Sequence, residues 1–99
     1  MFVNQKEKDC IFYWNIKDNK AKISYIEVSP RNRKKGIASS VVKDFIKYCT
    51  INRIKHIEID AYKKAINFWR KLSFNVDVQP QVIDGIKQDY YNGNFVIPL

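Results

Sequence analysis

Two cysteines, three glycines, three prolines and one histidine leave this 99-residue chain poor in residues that staple, bend or ligate. Cys10 and Cys49 are too few and too far apart for a disulfide framework, and each falls in an apolar pattern, as buried thiols do. His56, the only histidine, lies in a strand-like run and shows no close-set zinc spacing with either cysteine. No apolar run approaches the roughly 20 residues of a membrane span, which leaves no membrane partner. The opening MFVNQKEKDC is charged and lacks the apolar stretch of a secretory leader, so the expectation is a cytoplasmic protein. Acidic residues are scarce as well: 10 stand against 18 Lys and Arg, for a net charge of +8.

That balance favours an acidic partner: nucleic acid, a phosphorylated cofactor or an anionic surface. Lys, Ile and Asn are all abundant, as an AT-rich coding sequence would make them, so dispersed lysines carry little information. A local cluster carries more. The densest is in EVSPRNRKKGIASSVV, Glu27 to Val42, where Arg31, Arg33, Lys34 and Lys35 crowd together just before Gly36. Like charges repel, so the crowding marks either an anion nearby or a solvated basic turn.

The length allows one domain over residues 1–99 with one modest core. Cys10, Phe12, Trp14 and Ile16 alternate onto one face of a strand over Cys10–Lys17. Asp18-Asn19 signals a turn, and a second strand over Ala21–Ser29 completes a hairpin. Phe2 and Val3 begin a candidate further strand. In the second strand Ile23, Ile26 and Val28 are spaced three and then two, which one extra residue near Ser24-Tyr25, a β-bulge, would reconcile. From Gly36 the period changes. Ala38, Val41, Val42, Phe45 and Cys49 form the apolar stripe of a helix ending near Thr50–Arg53. Ile54–Asp60 is a strand, with Ile57 and Ile59 on one face and His56 and Glu58 on the other. Asp60 is placed as the cap of a second helix buried through Ala61, Ala65, Phe68, Trp69 and Leu72. Strands over Phe74–Val78 and Asn94–Leu99 flank a loop over Gln79–Gly85. The order predicts an α/β fold with a mixed sheet and a parallel strand–helix–strand crossover at its centre.

Arg33, Lys34, Lys35, Gly36, Ile37, Ala38 and Ser39 together suit an anion. A helix start offers unpaired N–H groups and the positive end of its dipole, Gly36 allows close backbone approach, and Ala38 does not block it. The spacing is neither that of a nucleoside-triphosphate loop, which needs two glycines and Gly-Lys-Ser/Thr, nor that of a dinucleotide fingerprint.

Arg33-x-x-Gly36-x-Ala38, after a bulged strand ending Val28-Ser29-Pro30, resembles the Gln/Arg-x-x-Gly-x-Gly/Ala acyl-CoA signature of the GNAT superfamily of N-acetyltransferases. AINFWRKLSF, Ala65–Phe74, resembles a second motif of that family, and DYYNGNFVIPL resembles its final strand region. The resemblance spans about residues 9 to 99. It implies a mixed, mostly antiparallel sheet with a central parallel strand pair that splays apart, and a fold lacking the usual N-terminal strand and two helices. It also implies acetyl-CoA as cofactor. The pantetheine arm would lie along Ile26 to Val28, the pyrophosphate on Arg33 to Ser39, and Trp69 with the cofactor contacts. The implied reaction moves the acetyl group to a primary amine, with a protein amine among the candidate acceptors. Of the candidate bases, Glu58 comes first and Glu27 second, and the backbone N–H of Val28 would serve the developing oxyanion.

Several residues depart from the family pattern. Trp69 stands where a tyrosine usually supplies the proton, and an indole N–H does not serve in that role. Ser73 replaces a glycine. Tyr62 is expected on the helix surface. Tyr90 and Tyr91 either line the substrate cleft or pack at a strand start. Without the two leading helices, one sheet face including Ile11 and Tyr13 should be bare, which implies a homodimer or a large acceptor. Two alternatives stand beside the enzyme: a non-catalytic acyl-CoA-binding module, and an RNA-linked or nucleic-acid-binding protein. The last rests on charge alone and lacks a recognised module.

Overall fold

A computed structural model describes residues 2–3, 10–29 and 36–99. In chain order the elements are β1 (Phe2–Val3), β2 (Cys10–Lys17), β3 (Lys20–Val28), α1 (Ile37–Ile51), β4 (His56–Tyr62), a 3-10 turn (Lys63–Ala65), α2 (Ile66–Lys71), β5 (Asn75–Val76), β6 (Val82–Ile83), β7 (Ile86–Lys87) and β8 (Tyr90–Val96). Six strands form one sheet in the order β1-β2-β3-β4-β8-β5, and β6 and β7 pair separately. Within the large sheet only β3 and β4 run parallel; the other pairs are antiparallel.

Alternation builds the sheet as the sequence predicts. Cys10, Phe12 and Trp14 are buried, and Ile11 between them is exposed. Asp18 and Asn19, with φ of 53° and 62°, make a tight turn between Lys17 and Lys20, the left-handed pair a two-residue hairpin asks for. The expected bulge is present. Tyr13 faces Tyr25 and Trp14 faces Ile23, so Ser24 is the extra residue. It keeps Ile23 and Val28 both buried across an interval that plain alternation would split.

α1 buries Val41, Val42, Phe45 and Cys49. The Phe45 ring meets Phe12 at 5.4 Å and Trp14 at 4.9 Å between centroids, and burying such a ring is worth about 1.5–3 kcal/mol. On α2, Trp69 packs edge-on to Phe68 and to Phe74, both at 5.0 Å. Ile57, Ile59 and Ala61 of β4 are buried in the same core. Lys20, Lys22, Tyr25, Glu27, Glu58, Asp60 and Tyr62 alternate onto the opposite face, with Ile11 and Tyr13. None of the described elements packs a helix there, and Ile11, Tyr25 and Tyr62 are exposed.

Four expectations need correction. Asp60 caps no helix: the ladder with β8 continues through Asp60↔Asn92, Ala61↔Tyr91 and Tyr62↔Tyr90, so β4 runs to Tyr62 and α2 starts only at Ile66. Tyr62 therefore ends a strand and does not sit on a helix surface. The stretch over Gln79–Gly85 is not a plain loop, because Asp84 and Gly85, with φ of 51° and 79°, turn β6 into β7. The last two strands are displaced as well: β5 is only two residues long, and β8 begins at Tyr90.

Candidate active site

The parallel ladder between β3 and β4 runs from Lys20↔His56 to Ile23↔Ile59 and then stops. Beyond it β3 stays with β2 as far as Val28↔Cys10, and β4 stays with β8 as far as Tyr62↔Tyr90. The two strands part where Ser24 bulges. Between them lies a cleft of about 360 Å³, walled by Tyr25, Ile26, Glu27 and Val28 on one side and by Asp60 and Tyr62 on the other. A second cavity of about 520 Å³ adjoins it and shares Ile26, Val28, Lys64, Ala65 and Trp69 with it. Gly36, Ile37, Ala38 and Ser39 line this second cavity.

The start of α1 suits an anion. Gly36 has φ 76°, in the left-handed region, and a Cβ built there would meet nothing within 4 Å. The first bond back along the helix is Ser40 N–H to the Gly36 carbonyl, at 3.0 Å. The N–H groups of Ile37, Ala38 and Ser39 precede it and have no acceptor within the helix. The first turn carries no acidic side chain. Arg33, Lys34 and Lys35, expected to join these groups, lie outside the described residues. Lys64, which the sequence reading did not single out, is a described cation on both cavities.

Of the two candidate carboxylates, the cleft wall includes Glu27. Tyr25 donates its phenol O–H to Glu27, and that bond holds the Tyr25 pKa above its ordinary value. Glu58 lies opposite Lys22, before the strands part, and its Oε1 is 3.0 Å from Lys20 Nζ. It is not among the residues walling the cleft. Trp69 is buried and lines both cavities. Tyr90 and Tyr91 separate. Tyr90 meets the Tyr62 ring at 6.5 Å on the helix-free face, whereas Tyr91 packs against the core.

Asp60, Tyr25 and Tyr62 are cleft residues that the sequence reading did not assign to the site. Asp60 was hidden by its resemblance to a helix cap. The available signal was the alternation of Glu58, Asp60 and Tyr62 against Ile57, Ile59 and Ala61, which continues past Asp60.

The sequence model of the acetyltransferase (GNAT) domain matches residues 1–90. The chain belongs to that family. No curated protein matches it. Among solved structures, the ribosomal-protein-S18-alanine N-acetyltransferase from Escherichia coli superposes with a TM-score of 0.77 at 14% identity, covering 97% of this chain and 66% of that one. The PaiA N-acetyltransferase from Thermoplasma acidophilum, in complex with coenzyme A, gives 0.73 at 16% identity, covering 89% and 53%. The Bacillus subtilis acetyltransferase in complex with CoA gives 0.69 at 16% identity, covering 95% and 72%. At such identities the likeness establishes the fold, and the chain spans only 53% to 66% of the length of the first two.

Proposed function

We propose that this chain is a cytoplasmic N-acetyltransferase that moves the acetyl group of acetyl-CoA to a primary amine, with a protein amine as acceptor. The observation that carries the reading is the parting of β3 from β4 at the Ser24 bulge, which opens a cleft adjoining the cavity that the N-terminus of α1 lines. Bound acetyl-CoA would supply an activated acyl carbon. Ile26 and Val28 would lie along its arm, the N–H groups of Ile37 to Ser39 would face its phosphates with Arg33, Lys34 and Lys35, and Trp69 would wall the cleft. An amine near neutral pH is mostly protonated and must lose a proton before it attacks. Glu27, which lines the cleft, would take that proton, and Glu58 would need an intervening water. Trp69 has no proton to give in this sense, and Tyr25 is a phenol in the same cleft. The face on which no described helix packs would receive a macromolecular acceptor at the cleft, and two copies would pair at or near its exposed Ile11 edge.

Two sets of variants test the reading. Gly36→Val should lose most affinity for acetyl-CoA in calorimetry while the protein stays folded; unchanged binding by the folded variant would remove the cradle. Glu27→Gln should keep acetyl-CoA binding and lower turnover by about a hundredfold or more, the usual scale for a lost general base. Full activity in Glu27→Gln with loss in Glu58→Gln would move the base to Glu58. Tight binding of acetyl-CoA with no acetylated product from host lysate would favour the non-catalytic module.

A further inference from the structure

Asp60 is the first residue of β4 beyond the last parallel pair with β3, so its side chain stands at the point where the strands part. Two donors hold it there. Lys22 Nζ and Gln81 Nε2 each lie 3.0 Å from the same oxygen, Oδ1. Among the described residues Oδ2 takes no partner, and the side chain remains one-third exposed, at 33%.

The support behind Asp60 is itself fixed. The Gln81 amide also donates to Asn92 Oδ1, from the residue paired with Asp60 on β8. Its backbone is held twice, with its N–H on the Tyr90 carbonyl at 2.9 Å and its carbonyl accepting from Gln88 N–H at 2.8 Å. One amide thus spends its two N–H groups on two facing strand residues, leaving little freedom for the carboxylate to rotate. Tyr25 and Tyr62 share the cleft with Asp60. Each ring is backed by a second, Tyr25 by Tyr13 at 5.9 Å and Tyr62 by Tyr90 at 6.5 Å.

A carboxylate oxygen that no described residue engages, in a cleft also walled by two phenol side chains, suits an alkylammonium group. The carboxylate would accept a hydrogen bond from one of its N–H groups, and an aromatic face that it met would attract its charge. Glu58 does not offer the same, since it lies in the closed part of the ladder with Lys20 and away from the cleft wall. We propose that Asp60 Oδ2, in the cleft it shares with Tyr25 and Tyr62, is the binding group for the acceptor's ammonium, and that Gln81 is its positioning residue. This rests on the acetyl-transfer reading for the identity of the ligand as an amine, and it concerns recognition before the proton is lost, which is assigned to Glu27.

The test separates the two. The protein without acetyl-CoA is titrated with an alanine tripeptide amide bearing a free N-terminus, and with its N-acetylated form, following side-chain resonances of Gln81, Tyr25 and Tyr62 by NMR. The free amine should shift all three and the acetylated form none. In Asp60→Asn the affinity should fall about ten- to a hundredfold, the range for a lost charge-assisted bond. In steady state, Asp60→Asn and Gln81→Met should raise the KM for the amine and leave kcat and acetyl-CoA affinity within a fewfold of wild type. Gln81→Met keeps the carboxylate, so it covers the case in which Asp60→Asn does not fold. Equal shifts with both peptides, amine affinity independent of residue 60, or a fall in kcat without a change in KM would overturn the assignment. Loss of melting temperature and acetyl-CoA affinity with the amine KM unmoved would do the same, by making Lys22–Asp60 a strand staple only. Asp60-dependent amine binding by a wild-type protein that transfers no acetyl group would sustain the anchor and defeat the enzymatic reading.

Discussion

Cys49 sits on the buried side of α1, and burial pushes its thiol up to about 11 from 9.0. The fold therefore favours the neutral thiol. That stabilisation is whole below pH 9.0 and is lost as pH rises through about 11. Denaturant midpoints of the wild type and of Cys49→Ala should thus converge as pH is raised through this window, and a constant difference would contradict the assignment. Neither Cys49 nor the fully buried Cys10 should react with a thiol reagent at neutral pH until the protein unfolds. Both thiols would then serve as packing groups in the core, away from the proposed site.

At the scale of elements, both helices end in the same way without glycine. After α1, Arg53 takes φ 57°, and Ile54 N–H reaches the Cys49 carbonyl at 2.8 Å. After α2, Ser73 takes φ 70°, Phe74 N–H reaches the Trp69 carbonyl at 3.1 Å, and Ser73 N–H reaches Arg70 at 3.0 Å. This is the double bond of a Schellman ending, with its apolar contact supplied by Phe74 on Trp69. A left-handed residue with a side chain costs on the order of 1–2 kcal/mol, so Ser73→Gly should stabilise the protein by about 1 kcal/mol in chemical denaturation. Gly93 on β8 is the reverse case. A Cβ there would lie 2.7 Å from Ile59 Cδ1 and 2.8 Å from Cγ1, so Gly93→Ala should cost about 1–3 kcal/mol, partly restored by Ile59→Val. Full tolerance of Gly93→Ala would mean that β4 and β8 pack less closely beside the cleft than described.

For the whole molecule, two quantities oppose each other. The helix-free face shows Ile11, Tyr25 and Tyr62 at 38%, 42% and 57% exposure. Covering several hundred Å² of such surface at roughly 25 cal/mol per Å² would yield many kcal/mol before association costs. A net charge of +8 on each copy resists that pairing. Salt screens the repulsion and leaves the apolar term, so the proposed homodimer should form at micromolar concentration and tighten as salt is added. Sedimentation or light scattering reads this directly. A monomer at both low and high salt would rule the dimer out and leave the Ile11 edge, as well as the cleft, to a macromolecular acceptor.

What the sequence determined by itself is what neighbouring residues decide. Alternation over Cys10–Ile16, the three-then-two spacing of Ile23, Ile26 and Val28, and the stripe from Ala38 to Cys49 are patterns of period two or 3.6, and each becomes the expected element. The proposed acyl-CoA signature is equally local, because Gly36 and the start of α1 lie within one turn of each other. The tertiary structure decided what depends on pairings far apart in the chain. Asp60 followed by a helix-forming stretch reads as a cap, until the ladder to Asn92 and the bonds from Lys22 and Gln81 keep it in a strand. Which carboxylate enters the cleft follows from where β3 leaves β4, a point set by a bulge opposite β2 and by β8 on the far side. Tyr90 and Tyr91 are adjacent in sequence, yet the pleat sends one to the open face and the other to the core. Local periodicity assigns a residue to a face of its own element; only the assembled sheet decides whether that face is core, solvent or cleft.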